Sequence, residues 1–404
     1  MKAVILAAGE GSRMRPLTYT RPKVMLPIAN KPIIEHLLIE AREAGIDEFI
    51  FIVGYRDEAV RHYFGDGDKW GVSISYRNQR KQLGTADALR MVEHLVDSNF
   101  VVMNGDIIVR RADIEKLTRR KETTLAVIEV EDSKDLGWVE TKGRHVTHIY
   151  EKVEPVVKKE TSKLANTGLY LFTPDIFTAI SNTAKSPRGE YEITDSLQWL
   201  INQGKPVSYQ KIEYWLDISY PWNLLGVNES LLTETEAQGS GCIEKYVIVK
   251  GKVSIGEGTV VKSGTYIVGP VIIGKDCDIG PNCYIRPYTA IGDRCHIGNA
   301  VEVKNSIVMS GSKIPHLNYV GDSVIGEGCN LGAGTQIANL RFDKQEILVA
   351  GRSTKRHKLG AIIGDNVETG INVSINAGSV IGNNTWIGPA AMVSGVVSPD
   401  SRIF

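Results

Sequence analysis

No stretch of this 404-residue chain approaches the ~18 consecutive apolar residues of a membrane-spanning helix, so no membrane partner is expected. Neither charge is in surplus: 47 Lys and Arg stand against 47 Asp and Glu. A nucleic-acid partner needs net positive charge to displace counterions from phosphates, so that class is excluded too. Cysteine is scarce, and five of them without metal-type pairing suit a reducing cytoplasm. The opening MKAVILAAGEG is too short and too soon broken by glycine for a signal peptide. With 42% hydrophobic and 23% charged residues, the composition is neither disordered nor collagen-like. What is abundant is glycine, forty against fifteen prolines, and it is unevenly spread. Sixteen glycines precede Gly241 and twenty-four follow from there on.

The glycine-poor part alternates strand-like runs at 2–7, 48–53, 72–76, 100–103, 124–130 and 169–172 with helical stretches such as 33–44 and 85–95. Such alternation over some 230 residues predicts an α/β domain with a mostly parallel sheet. Ligands of such sheets sit beyond the carboxyl ends of the strands. The glycine-rich part has a period of six. Val249, Ile255, Val261, Ile267, Ile273, Ile279, Ile285, Ile291, Ile297 and Val303 follow one another without a slip. The spacing resumes at Ile325, Leu331 and Ile337, and again from Ile363 to Val393. A helix repeats near 3.6 and cannot produce sixes. One side of a three-sided β-coil can, with the aliphatic inward and a turn at each corner, each repeat burying its core only by stacking.

Cys277, Cys283, Cys295 and Cys329 fall in the small inward slot of this repeat and are expected to pack as slim core residues. Two breaks interrupt the sixes: Val303 to Ile325, which contains Lys313, His316 and Tyr319, and the charged run between Ile337 and Ile363. Both are expected to be loops extruded from the coil, where function concentrates.

Directly after the first predicted strand comes LAAGEGSRMRPLTYTRPKVMLPIANKPIIEH. Gly9 and Gly11 leave room for backbone N–H groups to approach phosphates, and Arg13 and Lys23 add charge; Leu6 and Ala8 complete the candidate nucleotide-binding segment. The third glycine of a dinucleotide fingerprint is missing, and the segment is no Walker A loop. It resembles the signature of the sugar-1-phosphate nucleotidylyltransferases. Gln82, Gly84 and Thr85 resemble that family's base- and sugar-recognition loop, and Asn104-Gly105-Asp106 its metal-binding strand end. Glu151, Lys152, Asn166 and Glu190 resemble its sugar contacts, and Trp215-Leu216-Asp217 the site of its second metal ligand. Ser219 and Asn223 depart from the family's usual Asp-Ile-Gly-Tyr-Pro-Trp-Asp run.

The resemblance implies attack of a sugar 1-phosphate oxygen on the α-phosphorus of UTP or dTTP, expelling pyrophosphate. Two polyanions must meet, so charge has to be neutralised: Mg²⁺ on Asp106 and Asp217, with Arg13 and Lys23 stabilising the transition state. The attacking oxygen is already ionised and needs no general base.

In the second half, Val303-Lys304, then Ser312 through His316 and Tyr319 to Asp322, then Asn330, Ala333 and Asn339 resemble the acetyltransferase half of the bifunctional UDP-N-acetylglucosamine-forming enzymes. That likeness implies a left-handed parallel β-helix of hexapeptide repeats, packed as a homotrimer with sites between chains. It implies His316 as the base accepting the amine's proton, a task suited to a group titrating near pH 6.5 when unperturbed. Arg286, Lys304, Tyr319 and Asn330 would bind glucosamine 1-phosphate or galactosamine 1-phosphate. Ala333 and Asn339 would meet acetyl-CoA.

The expected organisation is therefore a Rossmann-like α/β nucleotidyltransferase domain over 1–230, a linker over 231–245 and the β-helix over 246–404. The alternative is nucleotidyl transfer alone, with an inert oligomerising coil.

Overall fold

The computed structural model describes residues 1–130, 136–151 and 164–404. They form two compact units. The first comprises Met1–Glu10, Arg21–Met25 and Ile33–Asp217, the second Gly11–Thr20, Leu26–Pro32 and Ile218–Phe404.

The first unit is built on a nine-stranded sheet in the order 73–78, 48–53, 2–7, 100–104, 164–172, 124–129, 208–211, 145–150, 138–142. Lys2–Ala7 pairs in parallel with Glu48–Val53 on one side and Phe100–Asn104 on the other. The chain thus leaves its first strand in one direction and later returns in the other, which makes a switch point between strands 2–7 and 100–104. Both strands are buried on both faces, with Ala3, Val4, Ile5, Val101, Val102 and Met103 fully inside. Hence their continuous apolar run rather than alternation. Beyond Phe100–Asn104 the sheet turns mixed, because Leu164–Phe172 runs antiparallel to its neighbours. The helix expected over 85–95 divides into Thr85–Arg90 and a tighter turn at Glu93–Leu95. There Val92 N and Leu95 N bond carbonyls three residues back, and Val92 is drawn fully inside.

The second unit holds the helix Asn223–Glu234 and a three-sided parallel coil whose faces carry nine, eight and eight strands. The first face begins at Cys242–Ile243, the second at Ile248–Lys250 and the third at Val253–Ile255. This is the prism that the hexads require. Val261, Ile267, Ile279, Ile285, Ile291 and Ile297 lie fully buried along its axis, each contributing roughly 1.5–3 kcal/mol by leaving water. Val249, on the edge strand of the second face, stays 39% exposed. Where glycine follows the aliphatic, as at Gly256, Gly274, Gly292 and Gly298, it is a packing requirement. A Cβ on Gly256 would lie 2.4 Å from the Gly274 carbonyl oxygen of the next coil.

All four inward cysteines are buried. Their slot does more than accept slim residues. Thr259 Oγ1, Cys277 Sγ, Cys283 Sγ and Ser312 Oγ each donate to the carbonyl of the glycine one coil on, at 2.7, 3.0, 2.7 and 2.7 Å.

Of the two expected loops, one is absent. Between Val303 and Ile325 nothing is extruded: Lys313–His316 and Tyr319–Gly321 are ordinary rungs of the first and second faces. The core positions continue through Val308, Ile314 and Val320, all fully buried. Two sides of the coil are five residues long instead of six. The left-handed backbone positions that mark the corners show where: they fall at Asp276, Asn282, Tyr288, Arg294 and Ala300, then at Asn305, Gly311, Leu317 and Asp322. The first four steps of that series, through Ala300, keep the six-residue interval, whereas Ala300 to Asn305 and Leu317 to Asp322 are one residue short. Coil partners accordingly lie 17 apart here, Glu302 against Tyr319 and Ile307 against Val324. The second break is an insertion, because Val324 pairs with Ile362. It carries the hairpin Leu348–Val349/Arg352–Ser353, closed at its base by a bridge from Leu340 to Lys358.

Candidate active sites

In the first unit, the switch point gathers Leu6, Ala8, Gln82 and Gly105. Gly105 N donates to Leu6 O at 2.9 Å, locking together the two strand ends. Gln82 Nε2 donates to Ala8 O at 3.1 Å, which lays the 82–85 loop against the end of the first strand. Gly84 sits at φ +109° with its Cα against the Tyr191 backbone, where a Cβ would lie 2.4 Å from the carbonyl oxygen. Ile193 N donates to Thr85 Oγ1 at 3.0 Å. The loop expected to meet the nucleotide is thus tied to the segment that carries Glu190. Gln79, which the motif reading passed over, braces that loop from beneath. It is buried, and its Nε2 donates to Gly84 O and to Asp87 Oδ2.

Beside this loop opens a cleft of about 250 Å³ lined by Thr85, Glu151, Asn166, Glu190 and Asp217, among others. Lys152 lies outside the described residues. The cleft adds two groups that were not anticipated, Arg188 and Glu192. Arg188 bridges Glu151 at 3.2 Å and Glu192 at 2.8 Å. Burial holds the Glu192 carboxyl above its ordinary range, an effect that Arg188 opposes and Glu151 reinforces. Their sequence signal is Arg188-Gly189-Glu190-Tyr191-Glu192, one basic residue among acids spaced by two. Carboxylates accept and cannot donate when ionised, so a cleft rich in them suits a ligand rich in hydroxyls.

Asp106 and Asp217 come together through the sheet. Trp215–Asp217 pairs antiparallel with Ile107–Val109, placing Asp217 opposite Ile107, the residue after Asp106. Directly opposed residues have Cα atoms about 4.5–5.5 Å apart, so Asp106 and Asp217 lie at one end of this ribbon. Lys23 Nζ lies 2.5 Å from Asp106 Oδ2. Among the described residues no cluster of three or more His, Cys, Asp or Glu offers a closed metal cage. Two carboxylates are nonetheless the protein share that Mg²⁺ takes when substrate phosphates and water complete its octahedron.

Arg13 belongs to the second unit, within Gly11–Thr20. Gly11, at φ +71°, opens the turn Ser12–Met14. The Arg13 guanidinium lies 5.6 Å from the Tyr220 ring centre, and Tyr220 stacks on Trp222 at 4.8 Å. Asn223 Oδ1 accepts from Tyr220 N at 2.8 Å, so the amide here does the turn-closing work that an aspartate would do.

On the coil, Arg286, Lys304, Tyr319 and Asn339 converge. Arg286 pairs with Glu302 at 2.7 Å and Lys304 with Asp322 at 3.1 Å. Asn339 Nδ2 lies 3.2 Å from the Tyr319 hydroxyl. Burial, with Asp322 and Glu302 nearby, pushes the Tyr319 hydroxyl up from its usual value. An apolar groove of about 390 Å³ lies against Tyr319, lined further by Gln336, Ile337, Ala338, Ser374 and Met392. His316 ends its strand on the first face, exposed, and the chain turns the corner at Leu317 before Tyr319 begins its rung on the second. Asn330 also lies on the first face, in register with Lys313. Ala333 sits in the next corner turn, its carbonyl accepting from Asn372 N. The expected acetyl-transfer residues therefore occupy two adjoining faces of the prism, and His316 does not line the groove at Tyr319.

A doubly wound sheet with a carboxylate-rich cleft at its switch point, followed by a hexapeptide coil, defines the class of sugar-nucleotide-forming transferases. The nucleotidyl transferase family matches residues 2–234, and the GMPPB C-terminal domain family matches residues 267–385. The bifunctional protein GlmU of Methanococcus maripaludis is 40% identical over 408 residues, spanning 100% of this chain and 97% of its own. A Sulfurisphaera tokodaii protein described as a bifunctional sugar-1-phosphate nucleotidylyltransferase/acetyltransferase is 41% identical over 400 residues, covering 98% of this chain and 97% of its own. A Bacillus anthracis structure assigned as a glucose-1-phosphate thymidylyltransferase covers 59% of this chain and 97% of its own, with TM-score 0.52 and 32% identity. The chain belongs to the nucleotidyl transferase family, and over its whole length to the group that includes these bifunctional archaeal proteins.

Proposed function

We propose that this chain is a bifunctional enzyme of sugar-nucleotide synthesis. One activity transfers a nucleotidyl group from UTP or dTTP to a sugar 1-phosphate such as N-acetylglucosamine 1-phosphate or glucose 1-phosphate, releasing pyrophosphate. The other acetylates glucosamine 1-phosphate or galactosamine 1-phosphate from acetyl-CoA. The observation that carries the second activity is the pair of buttressed cations, Arg286 on Glu302 and Lys304 on Asp322, at shortened rungs of the coil. Each ion pair fixes its cation, and two fixed positive charges suit one phosphate dianion.

In nucleotidyl transfer, the 82–85 loop and Gly9 receive the nucleotide. Glu151, Asn166 and Glu190, with Lys152 by resemblance, hold the sugar beside Gly105. Lys23 and Arg13 stabilise charge on the phosphates as the α-phosphorus is attacked. Mg²⁺ held by Asp106 and Asp217 would supply charge neutralisation on the triphosphate. In acetyl transfer, Arg286 and Lys304 receive the acceptor's phosphate, Tyr319 and Asn330 its sugar, and His316 takes the amine proton. The amine then attacks the thioester carbonyl, and coenzyme A leaves as the thiol. Ala333 and Asn339 belong with acetyl-CoA in this reading. We place the functional boundary as 1–230, 231–245 and 246–404, in a cytoplasmic homotrimer. No helix among the described residues is long and apolar enough to cross a membrane.

Two variants separate the activities. Asp106→Ala should lower pyrophosphate release by at least about 100-fold, the scale of losing one electrostatic stabiliser, with thiol release from acetyl-CoA unchanged. His316→Ala should do the converse, lowering thiol release about 10²–10⁴-fold. Absence of thiol release by the parent chain with either amino sugar phosphate would leave nucleotidyl transfer as the sole activity.

A further inference from the structure

One deeply buried charged group on the coil does more than pair with a single cation. The Asp322 side chain is only 4% exposed. Its Oδ2 accepts from Lys304 Nζ at 3.1 Å and from Asn339 Nδ2 at 2.5 Å, and its Oδ1 accepts from Asn305 Nδ2 at 2.7 Å. An isolated carboxylate this deep would be costly, and three donors with one full positive charge are what hold it there.

The shortened corners make this arrangement possible. Asn305 and Asp322 both occupy the left-handed corner position, at φ +43° and +51°, on consecutive 17-residue coils. Asp322 N donates to Lys304 O at 2.9 Å, so the two corners stack. Asparagine and aspartate tolerate that backbone region better than other side chains. The loss of one residue at each corner brings the Asp322 carboxylate over Lys304 and Asn305. Asn339, in the coil beyond, closes onto the same oxygen and reaches Tyr319.

We propose that Asp322 is the positioning residue of the acetyl-transfer site. It holds the Lys304 ammonium for the acceptor's phosphate and, with the same oxygen, holds Asn339 and through it Tyr319. One carboxylate thereby sets both the cation that meets one substrate and the amide that faces the other. This assignment rests on the acetyltransferase reading above.

The test is a double-mutant cycle on the full-length chain, following thiol release with glucosamine 1-phosphate or galactosamine 1-phosphate, whichever the parent prefers. Asp322→Asn should raise the acceptor KM about tenfold and leave kcat within about threefold, since it acts on binding geometry and not on proton transfer. In the Lys304→Met background the same change should shift the acceptor KM about threefold or less, the part carried through Asn339 and Tyr319, because residues that act through one another are non-additive. Pyrophosphate release by Asp322→Asn should equal that of the parent, and circular dichroism reports whether the coil is folded. If Asp322→Asn does not fold, Asp322→Ser is carried through the same cycle. A full tenfold effect in both backgrounds, or none in the parent background, overturns the assignment alone. Absence of thiol release by the parent overturns the acetyltransferase reading and the assignment together.

Discussion

Cys242 is exposed while Cys277, Cys283, Cys295 and Cys329 are buried. Burial pushes the Cys283 and Cys329 thiols up to about 12, so at pH 8 neither offers thiolate, the reactive form. Cys277 is held below its usual value, chiefly by hydrogen bonding with Cys295, but it lies buried within the prism. A thiol reagent should therefore label one of five cysteines in the native chain, all five in denaturant, and none rapidly in native Cys242→Ser. Rapid labelling of two or more native thiols would contradict the packing. The inward slot was legible from spacing alone. Its hydrogen bond to the next coil's glycine was not, because a period reports which residues recur and is silent about what their polar atoms meet. Arg188 and Glu192 escaped notice for a related reason: they act through each other and Glu151, which lies far away in sequence.

At the level of the coil, aliphatics at a strict interval of six announced stacked rungs, and the rungs are there. The same strictness misread the stretch after Val303. Five, six, six and five residues separate Val303, Val308, Ile314, Val320 and Ile325, and each of these is fully buried. Allowing a short side would have kept the register, whereas insisting on six turned two tight corners into a loop. The 337–363 insertion was readable because no combination of fives and sixes places aliphatics inward through its charged run. The glycine columns lead to a quantitative expectation. Gly256 stands clear of both candidate sites, and its added Cβ would press on backbone, not on a movable side chain. Gly256→Ala should cost roughly 3 kcal/mol, within the range for overpacking, seen as a lower midpoint in denaturant. An unchanged midpoint would show that the coils can separate locally.

For the whole molecule, the informative point is what one chain does not bring together. The groove at Tyr319 lies on the second face, His316 and Asn330 on the first. The outward rows carry exposed apolar groups, among them Tyr284 at 38% and Met392 at 71% on the second face and Trp386 at 50% on the first. Such rows are what an oligomer would cover. Sedimentation should give roughly three times the 44.4 kDa chain mass if closed threefold symmetry assembles the site. Dilution to monomers should then abolish thiol release before pyrophosphate release. A 44.4 kDa species with full acetyl transfer would overturn the trimer. That ligands would meet the carboxyl ends of the strands was legible because apolar runs mark the strands, whereas the order of the strands, and with it the switch point, was not. The split between faces was not, since a repeat marks inside against outside and does not say which outside a residue meets.

The two tight corners at Asn305 and Asp322 carry a further consequence. A parallel stack is bonded strand to strand around its whole perimeter. This one already joins 18-residue coils to 17-residue ones, so girth alone is not fixed; restoring one residue at either corner would instead pull Asp322 out of line with Lys304. Paired five-residue steps, one rung apart, are therefore a simpler signature of this pocket than any single residue in it.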